Sequence, residues 1–275
     1  MQTASAKSLL IDGHVHFYDG FATSVALNAA SRNFATAAER GCGGLSAGVL
    51  MLAETAREDR YSGLCELAAD GGTAGNWRLH GFSEDPLVVR AQAAHAETDL
   101  LIVAGYQVIS SEGLEVLTLA TDKRLADGKP ASDLIDAAQA ADALVVLPWA
   151  VGKWLGRRGR ILKGLLQNDF AAELYLGDNS GRPVFWQHPA HFRQAQRRGM
   201  RILPGSDPLP LPREVERIGS FGCALEAELG DARPSADLKR ALRDRSIAWR
   251  PFGRLETSAR FVRNQIGLRT GKRAS

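Results

Sequence analysis

The sequence predicts an α/β fold: a (β/α) TIM-type barrel, in a regular or a distorted, seven-stranded form, with an inserted β-hairpin and a helical C-terminal tail. The chain has 275 residues, 45% of them hydrophobic and 24% charged, which suits one core of barrel size. Short apolar runs recur, each followed by a polar loop, and helical patterns separate several of them. We therefore expect the barrel over residues 9–212 and the helical extension over residues 213–275.

The composition restricts the functional classes. A net charge of +3 is mild, so nucleic acid is disfavoured as a partner, and a small anionic substrate is expected instead. The three cysteines show no C-X-X-C spacing, which favours a reducing, cytoplasmic location. The N-terminus lacks the apolar core of a signal peptide, and no apolar run approaches the ~18 residues of a membrane span. A homo-oligomer is compatible with this composition.

The first apolar run carries the most informative residues. Leu9-Leu10-Ile11 reads as a buried parallel strand and leads into Asp12-Gly13-His14-Val15-His16. Residues two apart on a strand face the same side, so His14 and His16 can both face one metal ion. The alternative is two ordinary, partly buried histidines. Because the run before them is fully apolar, we favour a metal or anion site.

Alternating helix and strand patterns follow. The predicted helices cover residues 21–40, 57–69, 131–141 and 188–198. The predicted strands cover residues 47–53, 77–82, 87–92, 100–109, 114–121, 143–147, 170–176 and 200–203. Ser110-Ser111-Glu112-Gly113 joins two of these strands as a tight hairpin, because its glycine suits a positive φ. From Arg213 onward, charged and apolar residues alternate as in amphipathic helices.

Polar side chains collect at the predicted strand ends, which meet at one edge of a parallel barrel. Two imidazoles with carboxylates suit one divalent ion, Zn²⁺, Mn²⁺ or Fe²⁺. The predicted metal ligands are His14, His16, Asp207 and Glu54. The predicted catalytic residues are Asp207, as ligand or general base, and Lys153. The predicted substrate-binding residues are Arg182, Arg157 and Asp178, since arginine binds phosphate or carboxylate in bidentate fashion.

Each candidate also has an ordinary structural alternative. Ser206-Asp207-Pro208 is a turn signal, and Lys153 precedes arginines that form a solvated basic face in many proteins. Glu54 and Asp178 equally suit helix caps or surface positions. The remaining histidines are interpreted as structural or surface residues: His80, His95, His188 and His191.

Two segments carry a resemblance to a known family. Asp12-Gly13-His14-Val15-His16 is similar to the opening His-X-His of the PHP (polymerase and histidinol phosphatase) family of metal-dependent hydrolases. Gly205-Ser206-Asp207 resembles that family's closing Gly-Ser-Asp-X-His, and equally the terminal Asp of amidohydrolases. Segments 104–117, 143–147 and 173–180 are similar to intervening family motifs, in the same order. The resemblance implies a distorted or regular barrel and phosphoester hydrolysis.

The departures from that pattern are specific. Gln107 stands where the family has a metal-binding Glu, Pro148-Trp149 replaces His-Pro, and Leu209 replaces the final His. Only His14, His16 and Asp207 match metal-ligand positions of the family's motifs, and three ligands suit a single metal ion. The first hypothesis is a hydrolase that acts on a phosphoester or other anionic small molecule through a metal-activated water. The second is a degenerate scaffold that binds a ligand without catalysis, and the third is nucleic-acid binding through residues 157–163.

Overall fold

A computed structural model describes residues 7–42, 44–96, 98–168, 173–186 and 188–271. The strands are β1 Lys7–Val15, β2 Gly44–Leu52, β3 Thr73–Ala74, β4 Trp77–Phe82, β5 Asp85–Gln92, β6 Leu100–Val103, β7 Gly105–Ile109, β8 Glu115–Leu119, β9 Leu144–Pro148, β10 Leu174–Asn179, β11 Ile202–Gly205, β12 Gly222–Leu225 and β13 Arg250–Phe252. The helices are α1 Thr23–Ala37, α2 Arg60–Ala69, α3 Ala131–Ala140, α4 Gly156–Leu165, α5 Ala190–Arg197, α6 Pro234–Arg243 and α7 Ser258–Gly271. A π-helical turn spans Ala38–Cys42, and a 3-10 helix spans Pro212–Arg217.

The strands form two mixed sheets. The first has eight strands in the order β13-β12-β1-β2-β6-β5-β4-β3, and the second has five in the order β11-β10-β9-β8-β7. The predicted closed TIM-type barrel is therefore wrong, although the α/β class holds. The sequence pattern cannot show the difference, because apolar runs followed by polar loops are common to barrels and open sheets.

Three apolar layers hold these sheets and helices together. One lies between the first sheet and helices α1 and α2, and is centred on Leu27, Phe34 and Trp77. A second joins the other sheet to α3, α4 and α5. The third lies between the two sheets and includes Ile11, Met51 and Val146. Strand β9, residues 48–52 of β2 and residues 9–11 of β1 are buried on both faces, which explains why these segments are continuous apolar runs.

Strand β11, at the edge of the five-stranded sheet, approaches the end of β1, an interior strand of the eight-stranded sheet. The backbone N–H of Asp207, after β11, donates to the carbonyl of His14 on β1 (2.8 Å). An added Cβ at Gly205 would lie 2.3 Å from the backbone nitrogen of His14, so only glycine permits this approach. The ends of β1 and β11 are thus held side by side.

The predicted strand 100–109 divides between the sheets. Residues Leu100–Val103 pair with β2 and β5 in the first sheet, whereas Gly105–Ile109 pair with β8 in the second. A Cβ at Gly105 would lie 2.4 Å from the carbonyl oxygen of Leu52, so the crossing needs a glycine. The predicted hairpin β7–β8 is present, and Gly113 has a φ of +78° in its turn. Residues 170–172 of the predicted strand 170–176 lie outside the described residues.

The helical C-terminal tail expected after residue 213 is also wrong in part. Helices α6 and α7 form, but β12 pairs antiparallel with β1, and β13 pairs with β12. The short run Cys223-Ala224-Leu225 is fully buried against β1, which overrides the surrounding helical pattern. Among the described residues, no helix combines the length and apolarity needed to cross a lipid bilayer.

Candidate metal centre

The histidines at the end of β1 face a common point. His14 and His16 are 4% and 3% exposed, and their Nε2 atoms lie 3.1 Å apart. The apolar residues Leu9, Leu10 and Ile11 bury the strand on both faces and fix its direction. The strand's register against β2 shifts between Asp12 and Val15, at the point where the two side chains turn toward the sheet edge.

Asp207 completes the group from the turn after β11. Its Oδ1 lies 3.6 Å from Nε2 of His14 and 3.7 Å from Nε2 of His16. Its backbone has a φ of +45°, a conformation that few non-glycine residues adopt and that recurs at functional sites. Asn179, at the end of β10, donates from Nδ2 to Asp207 Oδ2 (2.7 Å) and to the Trp149 carbonyl (2.8 Å).

The three ligand atoms fit one tetrahedral ion. Two ligands that bind Zn²⁺ at ~2.1 Å lie roughly 3.4 Å apart in a tetrahedron. The observed separations of 3.1, 3.6 and 3.7 Å bracket that value. Among the described residues, His14, His16 and Asp207 form the group of histidines and carboxylates suited to holding a metal. The Asp207 side chain is 22% exposed, so the cluster reaches solvent on the side of this carboxylate.

Glu58, which the sequence interpretation missed, supports His16 from behind. Its Oε2 lies 3.9 Å from Nδ1 of His16 and accepts a hydrogen bond from the backbone N–H of Thr55 (2.7 Å). A carboxylate behind a histidine keeps the proton on Nδ1 and leaves Nε2 free as a ligand. The buried Nδ1 of His16 has no partner within hydrogen-bond distance among the described residues, and the Glu58 carboxylate at 3.9 Å is positioned to accept its proton after a small movement.

The two histidines have opposite shifts in proton affinity. Burial and the adjacent His16 lower the pKa of His14 to about 3. Burial also acts to lower the pKa of His16, but the carboxylates of Glu58 and Asp207 outweigh it and raise that pKa. Burial raises the pKa of Asp207, against the lowering effects of His16, Arg217 and Lys153. His14 is therefore a neutral ligand across the physiological range.

Asp12 organises the backbone around the histidines. It is fully buried, and its carboxylate accepts from the backbone N–H groups of Ser206 (2.7 Å), Gly219 (2.8 Å) and His14 (3.3 Å). Burial raises its pKa to about 7, although these three donors act in the opposite direction. Asp12 thus ties the end of β1 to the turn that carries Asp207.

Lys153 pairs with Glu115, and its positive charge acts on two residues of this centre. Its Nζ donates to Glu115 Oε1, and the charge of Lys153 lowers the pKa of both His14 and Asp207. Gln107, on the neighbouring strand β7, interacts with His14 and acts to raise its pKa. Glu115 was not among the sequence candidates, because it begins an apolar strand rather than ending one.

Glu54 lies apart from the histidine cluster. Its Oε1 accepts from the backbone N–H of Tyr61 in the first turn of α2 (2.6 Å), and its Oε2 accepts from Arg124 (3.2 Å). These contacts match the helix-cap alternative, and the pKa of Glu54 is raised by burial. Arg124 also packs over the Tyr106 ring, 4.7 Å from its centroid.

The three predicted substrate-binding residues do not converge. Arg182 is buried and holds Asp178 in a bidentate pair, with both contacts at 2.7 Å. Asp178 is the neighbour of Asn179 on β10, so its side chain points to the opposite face of the sheet from Asp207. Arg157 is exposed in the first turn of α4, the helix that follows the Lys153 loop.

The comparisons with known proteins give a fold and no family. No family model and no curated protein matches the chain. The structure is similar to that of PsfC from Pseudomonas syringae PB-5123, with a TM-score of 0.58 and 14% identity over 98% of this chain and 99% of that one. At this identity the similarity shows a shared fold.

Two further matches are endonuclease structures. One is Endonuclease Q in complex with a 27-mer duplex substrate with an abasic lesion at the active site (TM-score 0.47, 11% identity). The other is the lesion-specific endonuclease PfuEndoQ from Pyrococcus furiosus (TM-score 0.49, 11% identity). Each match covers 86% of this chain and 56% of the endonuclease. The expectation of a small anionic substrate with nucleic acid disfavoured finds no support in these matches, one of which is a complex with a duplex substrate.

Proposed function

We propose that the protein is a metal-dependent hydrolase with one divalent ion held by His14, His16 and Asp207. The observation that carries the proposal is the separation of the three ligand atoms, 3.1 to 3.7 Å, in a cluster whose carboxylate, Asp207, is partly exposed to solvent. When bound there, a divalent ion supplies a Lewis acid and lowers the pKa of a water molecule.

The surrounding residues have distinct roles in this proposal. Glu58 keeps the Nδ1 proton on His16 and so presents its Nε2 to the ion. Asn179 holds one oxygen of Asp207 and leaves the other, Oδ1, directed at the histidines. The ammonium group of Lys153 supplies positive charge for an anionic group of the substrate.

Phosphoester hydrolysis is the reaction class that we propose, on the resemblance to the PHP family. Bis(p-nitrophenyl) phosphate and p-nitrophenyl phosphate, supplied with Mn²⁺ or Zn²⁺, test diester and monoester cleavage directly. We expect metal-dependent release of p-nitrophenol that is lost in Asp207→Asn and retained in Asp19→Asn, whose side chain is 87% exposed. Equal turnover in both variants would exclude the assigned site.

A ligand-binding scaffold without catalysis remains the alternative. It predicts a bound metal in the wild-type protein together with no turnover of either phosphoester under any metal condition. The two functions are therefore separated by combining a metal determination with the turnover assay.

Helix α4 supports nucleic acid as a second candidate for the substrate or ligand. Arg157, Arg160 and Lys163 recur every three residues on α4 and are all exposed, and the helix starts three residues after Lys153. Such a basic face binds a phosphate backbone with a strong dependence on salt. We expect an oligonucleotide to bind at low salt and the triple alanine variant to weaken binding. Alanine at the exposed Arg78 on β4 is the control.

A further inference from the structure

We propose that a cavity beside the edge strand β11 binds a small aromatic carboxylate. The cavity has a volume of about 530 Å³ and lies between β11, helix α5, strands β12 and β13, and the segment 245–249. That volume is within the range of roughly 300–1,000 Å³ that is typical of small-molecule sites. The cavity shares no residue with the metal centre, so this inference is independent of the proposed hydrolase function.

The cavity lies where two neighbouring strands approach without pairing. Strand β11 pairs with β10 and ends the five-stranded sheet. Strand β12 pairs instead with β1 and β13, which leaves a gap between β11 and the β12–β13 ribbon. Ile202 and Pro204 on β11 and Cys223 on β12 line this gap. Burial raises the pKa of the Cys223 thiol to about 12, so this wall is uncharged.

Aromatic and other apolar side chains form most of the lining. Phe192 comes from α5, Phe221 precedes β12, and Met200 lies between them. Trp249 closes another side and stacks on the buried Tyr175, with ring centroids 6.0 Å apart and ring planes 11° apart. Aromatic rings favour stacked and edge-on contacts with one another. The lining therefore suits an aromatic ligand.

Arg201 supplies positive charge to this cavity. Its guanidinium lies over the Trp249 ring, 4.6 Å from the centroid. It also donates to the backbone carbonyls of Ile247 (2.9 Å) and Leu242 (3.4 Å). Among the described residues, these carbonyls and this ring are the contacts of the Arg201 guanidinium, and all of them are uncharged. Its charge is therefore available to an anionic ligand.

Arg182 and Asp178, which the sequence predicted to bind substrate, also line the cavity but neutralise each other. Arg182 donates from Nε and Nη2 to Asp178 (both 2.7 Å) and from Nη1 to the Trp186 carbonyl (2.7 Å). With Arg201 and Arg245, the lining has a net charge of +2 when histidine is neutral. A carboxylate forms its strongest hydrogen bonds with a cationic donor, so we expect it to lie at Arg201.

Hydrogen bonds within the protein hold the segment that covers the cavity. Ser246 donates from its backbone N–H (2.8 Å) and its Oγ (2.6 Å) to Asp244 Oδ1. The N–H of Ile247 donates to the Asp244 carbonyl (3.3 Å), and Arg201 ties Ile247 to the start of β11. A preformed site costs less conformational entropy on binding than one that must be ordered by its ligand.

Isothermal titration calorimetry with 2-naphthoate and its uncharged analogue 2-naphthamide tests the inference. We expect the wild type to bind one equivalent of 2-naphthoate, and to bind 2-naphthamide at least tenfold more weakly. Arg201→Gln should weaken the binding of 2-naphthoate at least tenfold, because the carboxylate loses its cation. Arg197→Gln, at an exposed arginine of α5 outside the cavity, is the matched control and should bind 2-naphthoate as the wild type does.

Two further measurements locate the bound 2-naphthoate. Protein treated with EDTA should bind it with unchanged affinity, which separates the cavity from a carboxylate bound to a metal ion. Ala248→Phe adds a ring at an exposed residue of the lining and should weaken the binding of both compounds at least tenfold. Circular dichroism establishes that each variant is folded, and Ala248→Phe decides the question if Arg201→Gln does not fold.

Three results would overturn the inference. They are a wild type that does not bind 2-naphthoate, equal affinities in the wild type and in folded Arg201→Gln or Ala248→Phe, and binding that EDTA abolishes. A wild type that contains no metal but binds 2-naphthoate would contradict the proposed function and still support this cavity as a binding site.

Discussion

His14 and His16 are adjacent in space but bind protons differently, because only His16 has a carboxylate behind it. The pKa of His16 is raised, so its protonated form stabilises the metal-free protein fully below its unfolded pKa of about 6.5. That contribution is lost as the pH rises through the higher folded pKa. A proton on His16 also competes with the metal, so metal binding should weaken as the pH falls through the same range.

Glu58→Gln tests this coupling. Removing the carboxylate lowers the pKa of His16, so the pH at which the protein releases Zn²⁺ should move to a lower value than in the wild type. Well above the folded pKa of His16, where proton competition is small, the affinity should instead fall about tenfold because His16 is less well oriented. A chromogenic Zn²⁺ indicator measures both quantities. Asp59→Asn, at a 71% exposed neighbour, is the control, and a release pH unchanged by Glu58→Gln would contradict the role of Glu58.

Asp12 acts on stability rather than on the metal directly. Asp12→Ala leaves three buried backbone N–H groups without their acceptor, each worth about 1 kcal/mol or more, so the free energy of unfolding should fall by at least about 3 kcal/mol. Urea denaturation of the metal-free protein measures this change. Asp19→Ala, at an 87% exposed side chain, should change it by less than about 1 kcal/mol. Similar losses in the two variants would contradict the account of Asp12.

At the scale of secondary-structure elements, the contact between β1 and β11 determines whether Asp207 reaches the histidines. The sequence indicated that His14, His16 and Asp207 follow apolar strands, and the structure brings these residues together. The sequence did not indicate Glu115 as a candidate site residue, because the direction of its strand depends on pairing between distant segments. Likewise, the apolar run 100–109 has no signal for the change of sheet at Gly105, since both halves are buried strands.

Gly205→Ala tests the contact between these two strands. The added methyl group would lie 2.3 Å from the backbone nitrogen of His14, so β11 must move away from β1 and carry Asp207 with it. We expect a loss of metal affinity of tenfold or more and a lower melting temperature. Gly81→Ala, in strand β4 with open space around its Cβ position, should leave both properties unchanged. Retained metal affinity in Gly205→Ala would show that Asp207 is not positioned by this contact.

At the scale of the whole molecule, a buried ion network connects the C-terminal helix to the metal centre. Arg217 pairs with Glu256 and Glu214, and its guanidinium also donates to Ser180 Oγ (2.7 Å). Arg260 on α7 pairs with Glu214 at 3.1 Å. The sequence showed a run of charged residues here but could not show which are buried, because charge patterns alone resemble a solvated helix. The prediction of a closed barrel was wrong for a similar reason. Local sequence patterns do not show whether the edge strands of a sheet pair with each other.

Arg217→Met measures the strength of this network. Glu256 loses its closest cation and Glu214 loses one of its two cations, so the free energy of unfolding should fall by about 3–5 kcal/mol. Arg32→Ala breaks an ion pair whose partners are 61% and 57% exposed, and should cost less than about 1 kcal/mol. Urea denaturation distinguishes the two. Equal losses would show that the network at Arg217 is no stronger than a surface pair.

The metal content of the protein tests the central claim most directly. Elemental analysis of protein purified without chelator, and again after incubation with Zn²⁺ or Mn²⁺, should give about one equivalent in the wild type. The His14→Ala/His16→Ala variant should be folded but contain none, whereas His80→Ala/His188→Ala should match the wild type. Absence of metal in the wild type after incubation, or full metal content in His14→Ala/His16→Ala, would contradict the metal centre.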